Sequence, residues 1–182
     1  MEKKKMTLKE QTQDLHEIAE NNKFAQLLLS GNINKKQYAK YLSNMWFIYS
    51  VLEKIAETAG VLKGIEDIKR ADAIKQDILE LNVGIDNQAF APSTYMYVQY
   101  LGEMDPKKSL AHIYVRHFGD LYGGQILKTK VPGSGKMYEF VNRKELINST
   151  RALLTDDLGS EARVGFEYAI MLFEDLVHEL DL

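Results

Sequence analysis

Few side chains in this sequence are suited to chemistry at neutral pH. The imidazoles are His16, His112, His117 and His178, and the count of cysteines is Cys 0. Without thiols there is no disulfide framework, thiolate metal site or cysteine nucleophile. A lone histidine on a helix is ordinarily a surface residue or a satisfied core residue. His16 has more suggestive neighbours. Lys9 precedes it on the same helical face, about 10.5 Å along the axis, and Glu20 follows one turn later, placed to orient or tune an imidazole. Read separately, Lys9 and Glu20 are solvated helix charges.

The second unusual segment is His117-Phe118-Gly119-Asp120-Leu121-Tyr122-Gly123-Gly124-Gln125-Ile126-Leu127. Each glycine inside a helix costs roughly 1 kcal/mol relative to alanine, so the run is about 3 kcal/mol poorer than it need be. Apolar periodicity nevertheless continues through it. At 100° per residue, Leu110, Tyr114, Phe118 and Leu121 form one stripe, while Arg116, Gly119, Asp120 and Gly123 gather opposite. Such a second face carries little side-chain bulk, which lets a flat ligand approach bare backbone, and paired glycines allow a kink. Two bland readings compete: a small-residue seam between helices, or a helix that ends at Gly123-Gly124. If the ligand face is real, an imidazole with a cation two turns away matches the needs of a haem, an axial ligand for iron and a counter-charge for its carboxylates.

The elements that must position these residues read as helices. Only Pro92, Pro106 and Pro132 occur, and no alternating strand pattern lasts six residues. A first helix carries Leu8, Leu15, Ile18 and Ala19 to about Asn21-Asn22, with a short continuation to Ser30-Gly31. Asn34 has the chemistry of an N-cap for a long stripe from Tyr38 to Ala59, closed by Gly60. Further helices are expected over about 64–81, 93–102, 105–130, 138–156 and 160–180, with a turn at Val131-Pro132-Gly133-Ser134-Gly135. The expected fold is all-α, a bundle of about seven helices forming one domain over 1–182.

The composition agrees. The chain has 182 residues, 45% apolar and 27% charged, the balance of a soluble globular protein. A net charge of −3 lacks the basic footprint of a nucleic-acid binder. No run approaches the length of a bilayer span, and residues 1–5 have no apolar segment behind them, so they do not read as a secretory signal. The expected setting is cytoplasmic, with no nucleic-acid or membrane partner. E-x-x-H, H-E-x-x-H, G-x-G-x-x-G and G-x-x-x-x-G-K-[ST] are all absent.

The segment Tyr114-Val115-Arg116-His117-Phe118-Gly119-Asp120-Leu121-Tyr122-Gly123-Gly124-Gln125-Ile126-Leu127 resembles the signature of the haem oxygenase family, roughly Y-x-R-Y-L-G-D-L-S-G-G-Q-x-L. Leu8-Lys9-Glu10-x-Thr12-x-x-x-His16 followed by Ala19-Glu20-Asn21, then Ile48-Tyr49-x-x-Leu52-Glu53 and Leu172-Phe173-Glu174-Asp175-Leu176, extend the resemblance over nearly the whole chain. It implies a helical bundle with haem between a proximal N-terminal helix and a kinked glycine-rich distal helix. It also implies an O2- and electron-dependent cleavage of haem to biliverdin, CO and ferrous iron, in which haem b is substrate and cofactor. By the same resemblance His16 is the proximal iron ligand, with Glu20 beside it, and Lys9 pairs with a propionate. Gly119 and Gly123 lie over the haem, and Gly124 supplies flexibility. Asp120 is the distal acid that holds an ordered water, and Tyr49, Tyr114 and Arg116 belong to its hydrogen-bond network.

Several positions depart from the family pattern. His117 stands at an aromatic position, where it is a possible competing iron ligand, and Tyr122 stands where serine is common. Of the basic pair after the loop only Lys144 matches. The arginine position reads Asn148, with Arg151 one turn on, and Ala169 replaces an asparagine. No flavin or nicotinamide fingerprint occurs, so the external electron donor is expected to be ferredoxin or a similar protein. Lys107, Lys108, Lys128, Lys130, Lys136, Arg143 and Lys144 are candidates for its docking patch. The competing functions are a haem carrier or sensor, which would not need Asp120, and a thiaminase-like hydrolase, which would need a cysteine.

Overall fold

The computed structural model describes residues 5–83 and 89–182. Most of the lysine-rich start, read above as no secretory signal, lies outside them at residues 1–4. Among the described residues the regular elements are all helical. They are α1 (Leu8–Glu20), α2 (Lys23–Ser30), α3 (Lys35–Thr58), α4 (Ala71–Leu81), α5 (Pro92–Glu103), α6 (Ser109–Ile113), α7 (Gly119–Leu127), α8 (Arg143–Leu153) and α9 (Gly159–Glu179). A π-helical segment, Tyr114–Phe118, joins α6 to α7.

The centre of the bundle is α3, whose Tyr38, Leu42, Met45, Ile48, Tyr49, Leu52 and Ala56 are buried together. Asn34 caps it as expected, accepting the Gln37 amide at 3.0 Å. α4 and α5 pack on α3, and α9 packs on α1, α2, α5 and α6. No helix among the described residues is long and apolar enough to cross a membrane.

Several boundaries differ from expectation for local reasons. The helix expected from residue 64 begins at Ala71, because the Glu53 carboxylate accepts the amides of Arg70 at 2.5 Å and Ala71 at 3.1 Å and so fixes the first turn there. The helix expected from 138 begins at Arg143, after Asn142 adopts φ +49° in the left-handed region. The expected 105–130 helix is divided. Asp105 and Pro106 open a short 3-10 turn, and α7 ends at Leu127.

Candidate active site

His16 owes its position to how α1 is tied down. A capping box starts the helix, with Thr7 Oγ1 accepting the Glu10 amide and the Glu10 carboxylate accepting the Thr7 amide. Asp156 Oδ1 accepts the Leu8 amide at 2.9 Å. Arg163 on α9 donates to both oxygens of Asp14, at 2.6 and 2.8 Å, and to the Gln11 carbonyl at 2.7 Å. That bidentate pair holds the Asp14 carboxyl at about 2. Leu15 packs with Phe166 and Ile170 of α9, so the next residue, His16, is carried to the exposed flank, where its ring stands edge-on to Phe166 with centroids 5.9 Å apart. Its Nδ1 lies 3.9 Å from Glu20 Oε2, and no described residue engages Nε2. Lys9 is exposed.

The glycine run is the second half of the site. Gly119 and Gly123 are exposed, and a Cβ built on either would meet nothing within 4 Å. The reading of these two as a packing seam is therefore overturned, and the helix does not end at Gly123-Gly124. Gly124 behaves differently. It is buried, and a Cβ there would sit 2.5 Å from the Tyr138 ring. Its smallness serves close packing against Tyr138 rather than the open face. The irregularity comes earlier, in the π-helical Tyr114–Phe118, a distortion that often marks functional sites.

That extra residue per turn also redistributes the faces predicted by a 100° wheel. Arg116 does not share the open side with the glycines. It is buried, its guanidinium over the Tyr97 ring at 5.0 Å and Nη1 at 3.6 Å from Met45 Sδ, with Nε and Nη2 unpartnered among the described residues. Tyr114, Phe118 and Tyr122 instead form a half-covered aromatic ladder, and the Tyr114 hydroxyl reaches Thr12 Oγ1 on α1 at 3.5 Å.

Asp120 turns inward, where the Tyr49 hydroxyl donates to its Oδ2 at 2.6 Å. Burial pushes the Asp120 carboxyl up to about 6, against the Tyr49 hydrogen bond and the charges of His117, Arg116 and Arg70, which pull it down. Burial, and next the Asp120 charge, hold the Tyr49 phenol well above its ordinary range, so Tyr49 stays a donor. An acid poised near neutrality beside bare helix backbone is suited to passing protons to a ligand on that face.

Comparison with known proteins gives the family. Residues 4–153 match the family model described as Heme oxygenase. The chain belongs to the haem oxygenase family. It is 31% identical over 200 residues to a heme oxygenase of Pyropia yezoensis, covering 93% of this chain and 84% of that one. It is 28% identical over 202 residues to that of Rhodella violacea, covering 94% and 86%. Among solved structures, heme oxygenase-1 of Synechocystis sp. PCC6803 in complex with heme superposes with a TM-score of 0.81 at 25% identity, over 96% of this chain and 92% of that one. The heme oxygenase of Leptospira interrogans gives 0.78 at 26%, over 92% and 98%. As a haem oxygenase the chain acts on haem, cleaving it with O2 and electrons to biliverdin, CO and ferrous iron. The carrier and hydrolase readings give way to this activity.

Against that family the remaining expected residues fall as follows. His117 is not free to reach iron: it is fully buried, with Nε2 2.8 Å from Glu53 Oε1. Lys144 and Asn148 are exposed on α8. Arg151 bonds the Tyr122 hydroxyl, joining two departures from the family pattern across α7 and α8. The basic patch is partly spent, because Lys108 pairs with Glu161, Lys128 with Glu139, and Arg143 donates to the Leu121 carbonyl. Lys107, Lys130, Lys136 and Lys144 remain exposed. Sequence reasoning missed Glu53 as a partner of His117, although a lone acid on the apolar stripe one turn after Tyr49 was the signal. It also missed Tyr97, His112 and Glu161, a buried chain in which the Tyr97 hydroxyl meets His112 Nδ1 at 2.7 Å and Nε2 meets Glu161 at 3.0 Å.

Proposed function

We propose that haem is held between His16 on α1 and the open backbone of Gly119 and Gly123 on α7, with Asp120 as the distal acid. The observation that carries this reading is the Tyr49–Asp120 hydrogen bond at 2.6 Å, next to two glycine positions that meet nothing within 4 Å. The residues fit the group. His16 offers an unengaged Nε2, Glu20 can orient its ring, and the glycines leave the room a flat macrocycle requires.

Bound haem supplies the iron that reacts with dioxygen and the porphyrin edge that is oxidised. The chain's own residues do the rest. His16 provides neutral nitrogen ligation on the proximal side. Lys9, Lys144 and Arg151 are the cations available for the propionates, and Tyr114 links the π segment to α1 through Thr12. Tyr49 fixes Asp120, which holds an ordered water and supplies protons through it rather than by direct contact. Arg116, buried behind Asp120, adds positive charge that favours its ionised form.

Electrons come, on this reading, from ferredoxin or a similar acidic carrier that docks on the exposed Lys107, Lys130, Lys136 and Lys144. A cytoplasmic location and a single domain over 1–182 belong to the same proposal. The test is an absorption time course of the haem-loaded protein with ferredoxin, its reductase and NADPH, under air with catalase. Soret loss with a broad red band and CO release is expected. A Soret band that persists under proven electron delivery would refute the proposal.

A further inference from the structure

His117 is the buried titratable group that the mechanism above leaves unused. It is 0% exposed and occupies the π segment three residues before Asp120. Its Nε2 meets Glu53 Oε1 at 2.8 Å, and an ionised carboxylate is an acceptor only, so Nε2 carries the hydrogen. Glu53 in turn is fixed from the other side. It accepts the Arg70 and Ala71 amides at the start of α4, and Arg70 is itself pinned to the Asp67, Lys69 and Glu139 carbonyls. The imidazole plane is therefore set by the α3–α4 corner. Stacked on that plane is the Tyr49 ring, with centroids 4.3 Å apart and planes at 25°. The hydroxyl of the same ring holds Asp120.

We propose that His117 is a positioning residue for the distal carboxylate: Glu53 fixes the imidazole, the imidazole fixes the Tyr49 ring, and Tyr49 fixes Asp120. The inference rests on Asp120 being the distal acid but is read out without haem. A core-filling aromatic could supply the stack. The imidazole ties that stack to Glu53 through Nε2 and is among the influences favouring the Asp120 carboxylate. The other groups that act on Asp120 are Tyr49 of α3, Arg116 of the π segment and Arg70 before α4, while the Asp120 charge in turn helps hold the buried phenols of Tyr38, Tyr41 and Tyr138 up.

The experiment uses the full-length apoprotein. The Asp120 carboxyl is titrated by carbon-13 NMR, assigned with Asp120→Asn, and the Tyr49 hydroxyl proton is followed as the marker of its short hydrogen bond. In His117→Leu, which removes ring and anchor, the Asp120 midpoint is expected to rise by about one unit and the Tyr49 hydroxyl signal to broaden away. In His117→Phe, which keeps the ring, the hydroxyl signal is expected to remain while the midpoint still rises. An Asp120 midpoint that stays at its wild-type value in a folded variant, with only the melting temperature lowered, overturns the proposal and leaves His117 a packing residue. If the leucine variant does not fold, the phenylalanine variant decides alone. The distal-acid reading fails separately, through unchanged turnover in Asp120→Ala.

Discussion

The Tyr49 hydroxyl and the Asp120 carboxylate, 71 residues apart in the chain, meet at 2.6 Å. Tyr49 is wholly buried on α3, and Asp120 lies in the first turn of α7, directly after the π segment. One hydrogen bond thus couples the central helix of the bundle to the helix with the open backbone. Asp120→Ala should bind haem normally yet lose turnover by about 10²-fold or more, and Tyr49→Phe should fall in the same direction by less. Single-turnover absorption traces of matched haem complexes measure both.

The raised Asp120 carboxyl also predicts a pH signature. Its midpoint lies at about 6 against an ordinary 3.8, so the folded chain holds this proton more tightly than the unfolded one. That stabilisation is complete below pH 3.8 and is lost as pH rises through about 6. At pH 7.5 wild type therefore carries a cost of about 3 kcal/mol. Asp120→Asn, which still accepts from Tyr49, should raise the melting temperature at pH 7.5 and make little difference near pH 4. Equal gains at both pH values would contradict the assignment of burial as the cause.

The three glycines should separate cleanly on substitution. Gly119→Ala and Gly123→Ala meet no neighbour and gain helix propensity, so the apoprotein should be more stable by roughly 0.5–1 kcal/mol while haem binding weakens. Gly124→Ala drives a methyl into Tyr138 and should cost about 1–3 kcal/mol. Denaturant midpoints of the apoproteins, beside haem titrations, check both halves.

On the proximal side, His16→Ala should abolish the imidazole-ligated ferric spectrum, and added imidazole should restore it. A spectrum unchanged by the substitution would assign the iron to another residue.

Arg151 stands one turn beyond the position where the family's arginine is replaced by Asn148, and it reaches α7 through Tyr122. Arg151→Ala is expected to weaken haem binding about tenfold, roughly 1.4 kcal/mol. Asn148→Ala should have no comparable effect in the same competition assay with an apo-haem acceptor.

The sequence by itself determined the helical class, because its apolar spacing and rare prolines admit little else. It also singled out the candidates for chemistry. His16, Asp120 and the glycines were legible because their types are costly or unusual where they stand. The capping chemistry of Thr7 and Asn34 is local, so it too could be read directly. Tertiary structure alone decided which way each residue of the glycine helix faces. The π segment adds a residue to one turn, which defeats a fixed 100° wheel and parts Arg116 from Gly119 and Gly123, while packing against α3 decides that Asp120 meets Tyr49. It likewise decided that Gly124 is small for the sake of Tyr138 and that His117 belongs to Glu53. Those pairings depend on contacts between residues 14 and 64 positions apart, which no local periodicity encodes.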